Sequence, residues 1–140
     1  MKQEILGFFG ICGSVAARIF GGWNAAISTL IVFMIIDYVT GLTVAGVFKN
    51  SKKTAHGGLE SHAGAKGIIK KVTYIVVIYV AHRLDVVLEI HFVKNAVVFA
   101  FLLNETISII ENVGLMGIKM PAAINKAIDI LGDKANKGDK

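Results

Sequence analysis

Apolar and polar positions fall into long blocks along this chain. Residues 25–47 (AAISTLIVFMIIDYVTGLTVAGV) are 23 residues broken by a single charge, Asp37. A helix that crosses a bilayer needs ~20 mostly apolar residues, and buried helices of soluble domains are seldom this long. The run therefore predicts a transmembrane helix. Residues 72–90 are apolar in their first half and carry Arg83, Asp85 and Glu89 in their second. Residues 92–113 reverse that order, apolar first and polar later. Each is about as long as a bilayer core is thick, which predicts two further spans. Between the first two runs, residues 48–71 are hydrophilic, hold Gly57, Gly58, Gly64 and Gly67, and lack an aromatic after Phe48. That stretch predicts a connecting loop.

The two ends have a weaker pattern. On a helix over 5–20, Ile5, Phe8, Phe9, Cys12, Ala16, Ile19 and Phe20 fall toward one side, and Gly7, Gly10, Ser14 and Arg18 form a smaller, more polar strip. An interfacial amphipathic helix is the first reading, and a fourth, short span that places Met1 inside is the second. A cleaved signal peptide is the third: Val15-Ala16-Ala17 suits a cleavage site, but Glu4 spoils the basic start such peptides need. Past the third run, Pro121 marks a break. Ala123, Ile124, Ala127, Ile128 and Leu131 then recur at helical spacing, with Asn125, Lys126 and Asp129 interleaved. These predict a short amphipathic helix on the cytoplasmic surface. The tail after Gly132 (DKANKGDK) has nothing to bury and is expected to be disordered.

The pattern as a whole predicts an all-α fold. It is an integral membrane helical bundle of three transmembrane helices, with an N-terminal amphipathic (or fourth, short membrane) helix and a C-terminal surface helix. Its segments are 1–24, a membrane domain 25–113 that contains the loop 48–71, and a cytoplasmic segment 114–140.

Composition narrows this further. Hydrophobic residues make up 54% of the 140, and the mean hydropathy of +0.64 excludes intrinsic disorder. One cysteine, Cys12, excludes a disulfide within the chain. Six lysines (Lys49, Lys52, Lys53, Lys66, Lys70 and Lys71) stand against one acid, Glu60, in the 48–71 loop, and this is the whole net charge of +5. Basic residues on a nucleic-acid surface would be mixed with aromatics or lined along a helix face; these are neither, and no nucleic-acid partner is expected. Excess lysine near the ends of spans marks the cytoplasmic side. The loop is therefore expected inside, with a short external turn near His91 and the C-terminus inside. Lysines 119, 126, 134, 137 and 140 agree with that placement. Three spans with Met1 outside is the simplest topology.

The charges within the spans matter more. Asp37 lies twelve residues into the first run, ~18 Å at the helical rise, near mid-depth. Arg83 and Glu105 reach a similar level from their own ends. Ionised side chains there cost ~2.5–3.5 kcal/mol on insertion scales and usually face other helices or water. An Asp37–Arg83 ion pair is geometrically possible. In the third run, Asn104, Glu105, Ser108, Glu111 and Asn112 make one continuous helical face opposite Leu103, Ile107 and Ile110. With Arg83 as the nearby base for Asp37, Asp85 and Glu105, either some carboxylates are protonated or many copies assemble so that these stripes line water. The second alternative makes Asp37, Arg83, Asp85, Asn104, Glu105, Ser108, Glu111 and Asn112 candidate pore-lining or intramembrane polar residues, and predicts a homo-oligomer. Thr40, Gly41 and Ala45 make a small-residue strip suited to close helix packing. Lys66, Gly67, Lys70 and Lys71 are candidate cytoplasmic-loop residues; lysines there can also meet anionic lipid.

Enzyme chemistry is not visible. His56 and His62 sit six apart in a glycine-rich loop with only Glu60 nearby, which falls short of a metal site. Gly57-Gly58 lacks the strand, helix and Lys-Ser/Thr context of a phosphate loop, and no nucleophile–base set is present. No catalytic residue, cofactor or metal is expected.

Three ordered motifs remain: Ile36-Asp37-Tyr38-Val39-Thr40-Gly41 in the first long span; Lys66-Gly67-Ile68-Ile69-Lys70-Lys71 before the next; Asn104-Glu105, Ser108-Ile109 and Glu111-Asn112 in the last, followed by Gly117 and Pro121. Over roughly residues 25–130 this order and spacing resemble the phage-lysis and toxin-secretion holins. The resemblance implies a small phage-encoded protein of the host cytoplasmic membrane. Such a protein oligomerises and opens lesions at a set time, releasing a cell-wall lytic enzyme (an endolysin) or a toxin. Some holins also encode a longer antiholin from a nearby second start. Here the next methionine after Met1 is Met34, inside the first span, so a dual start is not expected. A small ion channel or transporter subunit, or a non-conducting membrane adaptor, are the alternatives.

Overall fold

The computed structural model describes residues 1–137 and is all-helical, with no strand among them. Its helices are α1 (Lys2–Phe20), α2 (Ala25–Thr43), α3 (Ser61–Leu88), α4 (Val93–Leu115) and α5 (Ala122–Lys137). α2 continues into a wider π-type turn, Val44–Phe48, in which the neighbours Val44 and Ala45 are both buried. The sequence explains two of the boundaries. Asn24 caps α2, its Oδ1 accepting from Ile27 N at 2.9 Å. Gly21 ends α1 in the left-handed conformation, φ 71°.

α2, α3 and α4 each bury one seam. Ile27, Leu30, Met34 and Asp37 line that of α2; Tyr74, Ile78, Ala81 and Asp85 that of α3; Val98, Leu102, Glu105 and Asn112 that of α4. Spacings of three, four and seven keep each set on one side of its helix. Together with Phe20 of α1, the apolar members form a single core. Large hydrophobic side chains such as Val32, Ile35, Val76, Val80 and Val87 stay exposed on the outer faces. An apolar outer surface on this scale suits hydrocarbon rather than water.

Among the described residues, three helices are long and apolar enough to cross a membrane: Lys2–Phe20, Ala25–Phe48 and Val93–Leu115. The number agrees with the sequence expectation, but the set differs. α1 belongs to it, whereas α3 falls short because Lys66, Lys70 and Lys71 near one end and Arg83 and Asp85 near the other leave no charge-poor stretch long enough. α3 begins at Ser61, so the expected 48–71 loop is a loop only to Glu60, and its last eleven residues, 61–71, are helix. Gly64 and Gly67 stand where Tyr38 of α2 lies against α3, a Cβ at Gly67 being 3.6 Å from the tyrosine ring.

α1 packs along α3. A groove between them is lined by Ile11, Cys12, Val15, Ile19 and Phe20 of α1 and Ile75 of α3, and Gly21 meets His82 farther along. From Ile75 to His82, α1 thus follows the axis of α3, the geometry of a helix standing beside another.

The tail also departs from expectation. Residues 133–137 are the last turns of α5, held by Lys134, whose Nζ lies 5.1 Å from the centre of the Phe99 ring, and by half-buried Ala135. The remainder of the tail, 138–140, lies outside the described residues.

Candidate functional site

Toward the 49–60 loop the three seams change from apolar to polar at one level. Lys71, one turn before Tyr74 on α3, donates from Nζ to Asp37 Oδ2 of α2 at 2.7 Å and to Glu105 Oε2 of α4 at 2.6 Å. Glu105 is 1% exposed and the Lys71 side chain 13%. Asn112, two turns on from Glu105, donates to Asp37 Oδ1 at 3.2 Å, to the Asp37 carbonyl and to Thr40 Oγ1. Three helices are therefore tied by one ammonium between two carboxylates, with an amide completing the acceptor set. Removing one member of such a buried group leaves uncompensated charge, which is far more destabilising than loss of a surface pair.

This arrangement corrects the expected pairing. Arg83 is exposed and takes no part in it; the base beside Asp37 is Lys71. Nor is Lys71 a loop residue. It stands on α3, and its four-carbon stem carries the charge between the helices. Asp85 has a different task at the opposite end of the bundle. Its carboxylate accepts from Val93 N at 2.9 Å and Lys94 N at 3.0 Å, capping α4 and closing the α3–α4 turn.

The polar stripe of α4 is mostly satisfied within the chain. Asn104 donates to the Tyr74 hydroxyl, and the Tyr74 ring stacks on Phe101. Ser108 accepts from Lys53 Nζ at 3.3 Å. Asn50 Nδ2 donates to the Leu115 carbonyl, so the basic loop folds against the end of α4. Glu111 is exposed. The stripe therefore does not require other copies to find partners, as the residue pattern alone suggested. Thr40 accepts from Asn112, and a Cβ at Gly41 would stand 3.7 Å from Asn112 Nδ2, so this part of the small strip meets α4 of the same chain; Ala45 is buried. Lys66 is exposed, and Lys70 lies 5.7 Å from the centre of the Tyr74 ring.

A cleft of about 80 Å³ between α2, α3 and the loop is lined by Asp37, Tyr38, Gly41, Lys53, Thr54 and Lys71 among others, and so joins the cluster to the loop. Sequence reasoning missed Tyr74, Tyr38 and Lys53. Tyr74 was readable as the residue one turn from Lys71, but Lys53 carried no signal that a loop lysine would fold back onto Ser108. Among the described residues no group of three or more metal-ligating side chains is placed to hold an ion.

The model of the bacteriophage holin family matches residues 14–133. The chain belongs to this family. The match takes in all of α2, α3 and α4 and the cluster between them. Similar proteins share nearly the whole length of this holin-family chain. An uncharacterized protein of Listeria innocua is 36% identical over 145 aligned positions, 100% of this chain and 95% of that one. One from Clostridium perfringens is 35% identical over 126, 89% of this chain and 87% of that one. A protein of Bacillus phage phi105 named a probable holin is 30% identical over 113, 79% of this chain and 78% of that one. No solved structure matches. Holins are non-enzymatic membrane proteins, and this chain is a multi-pass protein of the bacterial inner membrane.

Proposed function

We infer that the chain acts as a holin in the full sense: it oligomerises in the cytoplasmic membrane and opens lesions that let a cell-wall lytic enzyme, or a toxin, leave the cytoplasm. The family match across α2 to α4 carries this reading, and the name of the phi105 relative supports it. The basic loop and both termini lie inside. This placement takes α3 as a crossing despite its flanking charges and α1 as a fourth; it is supported by the lysines of the loop and tail, by the length and apolar character of α1 and by its packing along α3.

Expression of the gene alone in a bacterial host, with a potential-sensitive dye and a co-expressed lytic enzyme assayed outside the cells, tests it. Potential is expected to collapse abruptly after a delay, with the enzyme released at the same moment. Normal potential and growth at high membrane expression would overturn the reading. Collapse of potential with the folded enzyme retained would favour a gated ion channel instead.

A further inference from the structure

The cleft beside the charge cluster has a regular build. Asp37, Gly41 and Ala45 line it from α2, and Gly64, Gly67 and Lys71 from α3. Intervals of three and four keep each trio on one face of its helix, and the stretch from Asp37 to Ala45 gives a depth of ~12 Å at the helical rise. Glycine and alanine make up the rest of both trios, so small side chains leave the space between the two helices. At about 80 Å³ it has room for several waters, each needing about 10–15 Å³. Polar groups stand at both ends. At the inner end, Asp37 and Glu105 take two of the three N–H donors of Lys71. At the loop end, Thr54 Oγ1 is the one buried side-chain polar atom without a hydrogen-bond partner among the described residues. A buried hydroxyl is costly to leave in that state, and water satisfies such groups where a site is polar and roomy. Beyond the cluster, Leu30, Met34, Tyr74, Ile78, Val98 and Leu102 close the bundle with an apolar core, and apolar interiors stay dry.

We propose that this cleft is a one-sided entry for water: a short file of ordered waters runs from Thr54 to Lys71 and Asp37 and stops at the apolar core. Water rather than an ion is the ligand because the charges lining the cleft offset one another, Lys53 and Lys71 against Asp37 and Glu60. The third donor of Lys71 then has an acceptor, and the buried charges face solution at the loop end of the bundle and nowhere else. Contact with water also lowers the desolvation cost of holding an ammonium and two carboxylates inside a membrane bundle. None of this depends on assembly into a lesion, or on which face of the membrane the loop occupies.

The test uses full-length chain carrying Cys12→Ser in lipid vesicles, with a small hydrophilic methanethiosulfonate as the probe. Lys52→Cys, on the exposed loop, marks the loop side. Ala45 and Ala81 are equally buried, at 5% and 3% exposed, but only Ala45 lines the cleft. Ala45→Cys is expected to react from the side that labels position 52, and Ala81→Cys to react from neither side. Reaction at 45 as slow as at 81, or from the side opposite to 52, overturns the proposal. Adding Thr54→Val to the Ala45→Cys chain removes the hydroxyl and keeps the shape. The reaction is then expected to slow several-fold, with no gain in melting temperature. In a dry cleft that change would remove a stranded hydroxyl and stabilise the bundle, so a higher melting temperature or an unchanged rate overturns the assignment. Nuclear magnetic resonance of the unaltered chain supplies a reading that needs no substitution. Magnetisation from water is expected to reach the Lys71 side chain and the Ala45 methyl, but not Ile78 or the Ala81 methyl. No transfer to the first two, or transfer to Ile78, overturns the one-sided entry.

Discussion

At the scale of single residues, one lysine holds the bundle together. Lys71 bridges Asp37 and Glu105 at the same time, so Lys71→Met leaves two carboxylates facing each other without their shared cation. A loss of about 3–5 kcal/mol is expected, the range for breaking a buried ion pair by removing one partner. Arg83→Met, on the exposed surface of the same helix, should stay within ~0.5 kcal/mol. Thermal melting in detergent separates the two, and equal melting temperatures would mean that the cluster contributes nothing. Asn112→Ala withdraws the amide from Asp37 and Thr40 and should cost about 1–3 kcal/mol, the penalty for stranding buried acceptors. Asp37 and Glu105 were legible in the sequence because charges interrupt apolar runs there. Lys71 was not, since it sits at the edge of such a run and a lysine's reach cannot be read from its position.

Elements were legible in proportion to their contrast. The 25–47 and 92–113 runs came out within a few residues because each holds a long apolar stretch, and the polar residues of the second recur at helical spacing. The first third of α3 was hidden by glycines, which lower helix propensity, and by lysines, which lower hydropathy; contact with Tyr38 is what makes Gly64 and Gly67 useful there. The last turns of α5 were hidden for a similar reason, since their support comes from Phe99 of another helix. Two element-scale expectations follow. Asp85→Ala removes the acceptor for Val93 and Lys94 and should destabilise by about 0.5–2 kcal/mol, as loss of a helix cap does. Amide exchange should rise first at those two positions. Gly21→Ala sets a Cβ 2.5 Å from the His82 ring at positive φ, and should cost about 1 kcal/mol or more by prising α1 from α3. Unchanged melting of that variant would mean that α1 does not pack there in the membrane.

For the whole molecule, the sequence conveyed class but not partnership. Block lengths and lysine placement suffice for a membrane bundle, because a bilayer imposes both. Which helices touch depends on seams only a few residues wide, and a seam that is apolar at one end and polar at the other resembles a pore lining until its partners are known. With α1 as a crossing, cysteines introduced at Gln3 and Lys52 in a Cys12→Ser chain should react with an impermeant reagent only from the cytoplasmic face, and one at His91 only from outside. Labelling of position 3 from outside would return α1 to the membrane surface. The charge cluster also has a history in time. Asp37 and Lys71 are 34 residues apart, and so are Lys71 and Glu105. At a synthesis rate of ~5–20 residues per second, Asp37 exists for about 2–7 s before its lysine is made, and as long again passes before Glu105. The nascent chain is thus first unbalanced, then neutral, then complete, and α2 cannot settle alone into lipid until α3 has been translated.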